Sequence, residues 1–190
     1  MANIILFGPP GSGKGTQANK LAEKFELMHI STGDMFRYEL KNETPLGKKA
    51  KEYMNQGQLV PDELTIEMLK NKVKSNQDVK GIILDGFPRT VPQAEALDAL
   101  MDNLNMKLEG LIALRVEREE IVNRLLERGK TSGRKDDQNE EVIRDRIQVY
   151  LDETQPVFEF YDNKSLAYTV NGMGNVDEIF ERLSAVVEEL

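Results

Sequence analysis

The stretch ILFGPPGSGKGTQ, Ile5 to Gln17, decides the fold. A short apolar run enters a glycine-rich turn, and a periodic helical segment leaves it. Gly8, Gly13 and Lys14 fit the phosphate-loop spacing G-x-x-x-x-G-K. In such a loop the backbone N–H groups of Gly11, Ser12, Gly13, Lys14 and Gly15 surround phosphate oxygens at a helix N-terminus, while the lysine reaches the outer phosphates. The pattern asks for a hydroxyl directly after the lysine, to face magnesium. Gly15 occupies that slot, and Thr16 follows one place later. A plain glycine turn is the bland reading; the full match between strand and helix favours a nucleotide.

Outward from this stretch, apolar runs of strand length alternate with helical periodicity. Asn3–Phe7, Met28–Ile30, Gly81–Leu84, Leu111–Arg115 and Leu166–Val170 read as strands. Helices are expected over Lys14–Phe25, Asp34–Leu40, Leu46–Met54, Asp62–Lys74, Val91–Leu104, Glu117–Arg128, Glu140–Tyr161 and Val176–Glu189. Pro156 is expected to break the segment after Glu140. Thr44-Pro45 and Asn175 are helix caps. Such alternation implies an α/β fold, a parallel sheet between helical layers, with ligands at the carboxyl ends of the strands. Gly129–Asp137 (GKTSGRKDD) lacks periodicity and reads as a mobile surface loop.

The bulk properties narrow the chemistry. In 190 residues the chain holds one domain, 39% hydrophobic and 31% charged, as in soluble proteins. There is no apolar run of bilayer length and no secretion signal at MANIILFG, so the expected location is cytoplasmic, away from membranes. Cysteine is absent and His29 is the only histidine. Thiol nucleophiles, histidine triads and thiolate zinc sites are therefore excluded. A net charge of −8 argues against nucleic acid as a partner.

Two further motifs carry chemistry. In GIILDGFPRT (Gly81–Thr90) a buried strand delivers Asp85 beside the phosphate loop, where it can hold the waters of a magnesium ion. Gly86 permits close backbone approach, and Arg89 offers a rigid fork for phosphate. Thr90 and Gln93 have the spacing of a capping box. In ISTGDMFR (Ile30–Arg37), Ser31 or Thr32 can start a helix, and Arg37 can bind a second phosphate group.

The sequence GPPGSGKGTQ, with the two motifs that follow it, resembles the adenylate kinases and related nucleoside monophosphate kinases, in which the displaced Thr16 is normal. The resemblance covers essentially the whole chain. It implies a P-loop three-layer fold with strand order 2-3-1-4-5 and the reaction ATP + AMP = 2 ADP, run by a magnesium-dependent phosphotransferase acting on a phosphate acceptor. By that resemblance Thr32, Arg37, Gln58, Leu59, Val60, Gly86, Phe87, Pro88, Arg89 and Gln93 match the AMP site, with Gln93 reading adenine. Spacing alone leaves Gln93 open between cap and base reader. Thr32 and FPRTVPQ count against a UMP/CMP kinase, and a second phosphate site counts against a nucleotide-dependent switch.

Arginines complete the set. On the helix ending at Arg128, Arg124 has Glu120 one turn upstream as a partner; Arg128 has no acid at that spacing. Arg146 borders the apolar stripe of its own helix, so its charge needs a partner in the cleft. Its helix is expected to bury Ile143, Ile147, Tyr150 and Leu151. By resemblance Arg128, Arg134 and Arg146 bind the transferring phosphate with Lys14 and Arg89; Arg128, with Arg124 and the Gly174 backbone, belongs also to the ATP site, and Arg134 and Arg146 to the AMP site. Asp136 and Asp137 either orient these arginines or are solvated. Met35, Met54 and Met68 are candidates for the acceptor pocket wall; His29 reads as a packed strand residue.

Catalysis then needs alignment and charge neutralisation rather than a general base. An AMP flap at 31–60 and a short lid at 129–139, inserted in the single kinase domain of residues 1–190, would close over the site. Magnesium with ATP is expected, with Thr16 and Asp85 facing it through water. Structural zinc is not expected, and monomer is the expected state.

Overall fold

The computed structural model describes residues 2–76 and 79–190. Its middle strand is β1 (Ile4–Phe7), all four residues buried. β3 (Ile82–Asp85) and β4 (Gly110–Arg115) flank it, with Ile4 opposite Ile83 on one side and Gly110 on the other. β2 (Met28–Ser31) pairs with β3, and β5 (Ala167–Asn171) with β4. The five-stranded sheet is parallel throughout, in the order 2-3-1-4-5 that the resemblance implied.

A continuous apolar strand signals a sheet covered on both faces, and β1 divides its residues between them. Ile5 and Phe7 pack with Leu84, Leu97, Val157 and Tyr161, beneath α5 (Val91–Asn103) and α8 (Gln155–Asp162). Ile4 and Leu6 pack with Leu21, Ile112, Ile179 and Leu183, beneath α1 (Lys14–Phe25) and α9 (Val176–Glu189). Asn3 ties the sheet entrance together: Nδ2 donates to the Lys107 carbonyl at 2.8 Å, and Oδ1 accepts from the Ile82 amide at 3.2 Å.

Smaller apolar clusters hold the outlying helices. Phe36, Ala50 and Val60 join α2 (Thr32–Lys41) and α3 (Pro45–Asn55), helped by Leu64 and Met68 of α4 (Asp62–Lys74). Ile121, Val122, Leu125, Ile143 and Ile147 join α6 (Arg118–Ser132) to α7 (Glu140–Val149). The expected caps form: Thr44 Oγ1 accepts from the Gly47 amide, and Asn175 with Glu178 makes a reciprocal capping box. Ser31 caps α2 through the Asp34 amide. Among the described residues no helix is long and apolar enough to cross a membrane.

Two expectations need correction. Gly129–Asp137 is not a loop throughout: α6 continues to Ser132, ends at Gly133, and Lys135–Asp137 forms a 3-10 turn. Gly129 is helical because the turn packs on it; a Cβ there would stand 2.4 Å from the Asp137 carbonyl oxygen. The glycine marks a close approach, not a break. The second correction concerns Pro156, which lacks the N–H that would close a turn onto Asp152. Instead of breaking, the chain widens into π-helical turns over Tyr150–Thr154 before α8 resumes. The wider turns rotate Leu151, expected in the core, to 40% exposure. Tyr150 stays against the Phe7 ring, 5.7 Å between centroids.

Candidate active site

The carboxyl ends of β1, β2 and β3 open on a cavity of about 390 Å³. Gly11, Gly13, Lys14, Gly15 and Thr16 form one wall, Asp85 to Arg89 another, and Arg37, Arg128, Arg134 and Arg146 converge from the far side. Lys14 Nζ folds onto its own loop, donating to the Gly8 and Pro9 carbonyls at 2.7 and 2.8 Å and to Ser12 Oγ at 3.3 Å. Burial, with repulsion from Arg89, Arg128 and Arg146 against the pull of Asp85, lowers its pKa to about 8. Ser12 is buried beneath the loop and props it without lining the cavity.

Asp85 ends β3, in register with Leu6 of β1 and Ser31 of β2. Burial pushes its carboxyl up, but His29, Lys14 and Arg89 outweigh that and hold it below the usual carboxylate range. A Cβ on Gly15 would lie 3.5 Å from Asp85 Oδ2, so the slot after the lysine faces this carboxylate. His29 is a packed strand residue, with Nδ1 2.8 Å from Asn19 Oδ1 and Nε2 3.7 Å from Asp85 Oδ2.

Gly86 (φ 77°) turns the chain out of β3. Its carbonyl accepts from Thr32 Oγ1 and from Arg89 Nε, both at 2.7 Å. A Cβ there would stand 2.9 Å from Arg89 Nη2 and 3.1 Å from Thr32 Oγ1, so only glycine lets the two side chains meet this carbonyl. Burial lowers the Arg89 pKa, and repulsion from Arg146 and Arg37 adds to it against the pull of Asp85. Arg37 pairs with Asp34, whose Oδ1 also lies 3.8 Å from Arg134 Nη2. Burial with repulsion from Arg37 and Arg128 lowers the Arg134 pKa too.

Asp137 resolves the two alternatives left by the sequence: it orients arginines. Its fully buried carboxylate accepts from Arg128 Nε at 2.6 Å, Arg128 Nη2 at 3.0 Å and Arg146 Nη1 at 2.7 Å. Burial raises the Asp137 pKa, but its two arginines overcome this and keep it ionised below the usual range. Asp136 adds Oδ2 at 3.0 Å from the same Arg146 nitrogen. The 3-10 turn thus forms a carboxylate strut under two of the cavity's arginines.

A smaller cavity of about 80 Å³ adjoins the first, walled by Thr32, Gln58, Leu59, Val60, Met54 and Gln93. Arg37, Gly86, Arg89 and Arg146 line both. Gln93 is buried, with one partner on each polar atom of its amide. Its Oε1 accepts from the Arg89 amide at 2.8 Å, and its Nε2 donates to Asp62 Oδ1 at 2.7 Å. The capping box is therefore half formed: Thr90 Oγ1 caps the Gln93 amide at 3.3 Å, but Gln93 reaches past the N-cap to Arg89. Sequence reasoning missed Asp62. An acid in the first turn after Pro61 is explained by the helix dipole alone, and nothing in the spacing ties it to α5.

Arg124 and Gly174 line neither cavity. Arg124 pairs with Glu120 at 2.7 Å, as its spacing suggested, and also donates to the Gly172 carbonyl at 3.2 Å. Arg182 donates to the Met173 carbonyl at 2.7 Å, so two arginines hold the Gly172–Gly174 loop. Of the candidate methionines only Met54 reaches the smaller cavity; Met35 packs against the main core and Met68 against the α2–α3 cluster.

A family model described as adenylate kinase matches residues 6–166, which spans every cavity-lining element up to α8. The chain belongs to the adenylate kinase family. Membership makes it a phosphotransferase. Proteins named adenylate kinase resemble it over their whole length: that of Flavobacterium psychrophilum is 53% identical with all of both chains covered. That of Parabacteroides distasonis is 47% identical over the same full span. That of Porphyromonas gingivalis is 44% identical, covering all of this chain and 97% of its own. The family's extent fits the geometry, since the arginine-lined cleft is assembled from segments spread between Leu6 and Thr154.

Proposed function

We propose that the chain catalyses reversible, magnesium-dependent transfer of the γ-phosphoryl group of ATP to AMP, giving two ADP. The observation that carries this reading is the pair of adjoining cavities that share Arg37, Arg89 and Arg146. A switch that only binds ATP has no need of a second cavity fed by the same cations. ATP would lie on the loop of Gly11 to Thr16, with Lys14 and Arg128 at its outer phosphates and Arg124 and the Gly174 backbone toward its base. AMP would occupy the smaller cavity, its phosphate at Arg37 and Arg89, its base beside Thr32, Gln58, Leu59, Val60, Phe87, Pro88 and Gln93.

The acceptor phosphate, with a second pKa near 6, is ionised at neutral pH and attacks without a general base. Lys14, Arg89, Arg128, Arg134 and Arg146 spread the charge of the transferring group and hold donor and acceptor in line. Oxygen donors suit magnesium, and the site offers an ionised Asp85 beside the loop and the Thr16 hydroxyl at its edge. Bound with ATP there, magnesium would neutralise charge on the triphosphate. Zinc has no place in this scheme, given the lack of cysteine and the single histidine. Residues 31–60, gathered on the Phe36, Ala50 and Val60 cluster, and residues 129–139, tied down through Asp137 to Arg128 and Arg146, act as flap and lid that exclude water.

The test supplies ATP labelled in the γ-phosphate with AMP, UMP or CMP as acceptor. Label should enter the β-phosphate of ADP with AMP and reach UMP and CMP far more slowly. Equal transfer to the pyrimidine nucleotides, or ATP hydrolysis indifferent to AMP, would refute the proposal.

A further inference from the structure

The amide of a glutamine can face a base in two orientations that place donor and acceptor in opposite order. Adenine presents an N6–H donor and an N1 acceptor at its pairing edge. A 6-oxopurine presents the reverse, an O6 acceptor and an N1–H donor. A glutamine free to turn over satisfies either one, so a buried glutamine discriminates only if something fixes which way it points.

At Gln93 two one-way partners do so. Asp62 presents carboxylate oxygens as acceptors, so the atom facing its Oδ1 at 2.7 Å is the NH2 group. The Arg89 backbone N–H can only donate, so the atom 2.8 Å away must be the carbonyl oxygen. Turning the amide over would set donor against donor and acceptor against acceptor. Asp62 is held in turn by Thr90 Oγ1, which donates to its Oδ2 at 2.8 Å. One N–H and one lone pair of the amide remain for a ligand, and Gln93 lines the smaller cavity, whereas Asp62 lines neither.

We infer that Asp62 is a positioning residue that makes the acceptor site select 6-aminopurine over 6-oxopurine monophosphates, by locking the orientation of the Gln93 amide. It touches no substrate itself. The inference rests on the proposed AMP site, and it adds to it the reason that a flexible amide reads only one purine edge.

Inosine monophosphate is the informative probe, because at this edge it differs from AMP only in carrying O6 and N1–H. The experiment measures kcat/KM for AMP and for inosine monophosphate at saturating ATP in the wild type, Asp62→Ala and Asp62→Asn, each with a melting curve. The wild type should strongly prefer AMP. In Asp62→Ala the preference should shrink about tenfold, chiefly through a higher KM for AMP, while inosine monophosphate holds steady or improves. Asp62→Asn, which keeps the volume and can meet the amide in either orientation, should shrink the preference by a smaller factor. It also serves if the alanine variant does not fold. The KM for ATP should not move. A preference ratio within twofold of wild type in the folded variants, even with a lowered melting point, would reduce Asp62 to a tie between α4 and α5 and overturn the inference. A wild type that does not phosphorylate AMP would instead refute the proposed activity itself.

Discussion

Replacing Asp137 by alanine removes a fully buried carboxylate that faces two cavity arginines. Three hydrogen bonds vanish, two from Arg128 and one from Arg146. At about 1 kcal/mol net for each, the loss is about 3 kcal/mol. Unpairing a buried ion pair typically costs 3–5 kcal/mol. Here the lower end applies or less, because Arg128 and Arg146 are 36% and 17% exposed and can draw water from the cavity. Asp136 also keeps part of its hold on Arg146. We expect 2–3 kcal/mol, which for a chain of this size is roughly a 4–12 °C fall in melting temperature. The arginines, no longer held from beneath, should also lose alignment, with a ten- to hundredfold fall in kcat/KM. Urea and thermal unfolding with a coupled kinase assay measure both. A variant that melts within 2 °C of wild type and keeps full turnover would show that the buried carboxylate does not hold the arginine cluster.

Lys14→Met should not lower the melting point, since Nζ bonds only within its own loop and its buried charge opposes folding at neutral pH, yet it should lower turnover by several orders of magnitude. Normal turnover in a folded variant would remove Lys14 from the chemistry. The pH dependence follows from the same ammonium. With its pKa lowered to about 8, Lys14 loses its proton above that pH, and an anion must restore it. ATP should therefore bind about tenfold more weakly at pH 9 than at pH 7 and take up protons on binding near pH 8, as calorimetry in buffers of different ionisation heat would register. The stability sign is opposite: a lowered folded-state pKa means that the buried charge opposes folding below pH 8. The ligand-free protein should gain stability from this group as the pH rises from about 8 toward 10.5. Chelating magnesium should stop transfer, whereas a zinc-selective chelator should change neither melting nor activity.

Local signals carried most of the architecture. The phosphate loop announces itself because a tight glycine turn, a buried strand and a lysine lie within thirteen consecutive residues, Ile5 to Gln17. Asp85, Gly86 and Arg89 are equally legible, being set by one strand end. Long-range partnerships were harder to read. Nothing near Asp62 hints that it grips Gln93, 31 residues away. Asp137 could be assigned to its arginines only once Gly129 was seen to let the 3-10 turn settle on α6. The polar run GKTSGRKDD lacks periodicity because its last helical turn faces solvent on one side and a carboxylate strut on the other, so no apolar stripe marks the helix. At Pro156 the error was of kind: removing one N–H can widen a helix as well as end it, and burial of Thr154 and Val157 on either side favoured continuity.

The most direct test of the proposed chemistry supplies ADP and magnesium alone. ADP would then serve as both donor and acceptor, one molecule on the Lys14 loop and the other at Arg37 and Arg89. Quantitative chromatography should find ATP and AMP appearing in equal amounts until the two and ADP reach equilibrium, with inorganic phosphate negligible. Release of phosphate without ATP, or the failure of ADP to change at all in a folded, magnesium-supplied sample, would contradict the assignment of two phosphate sites to one transfer reaction.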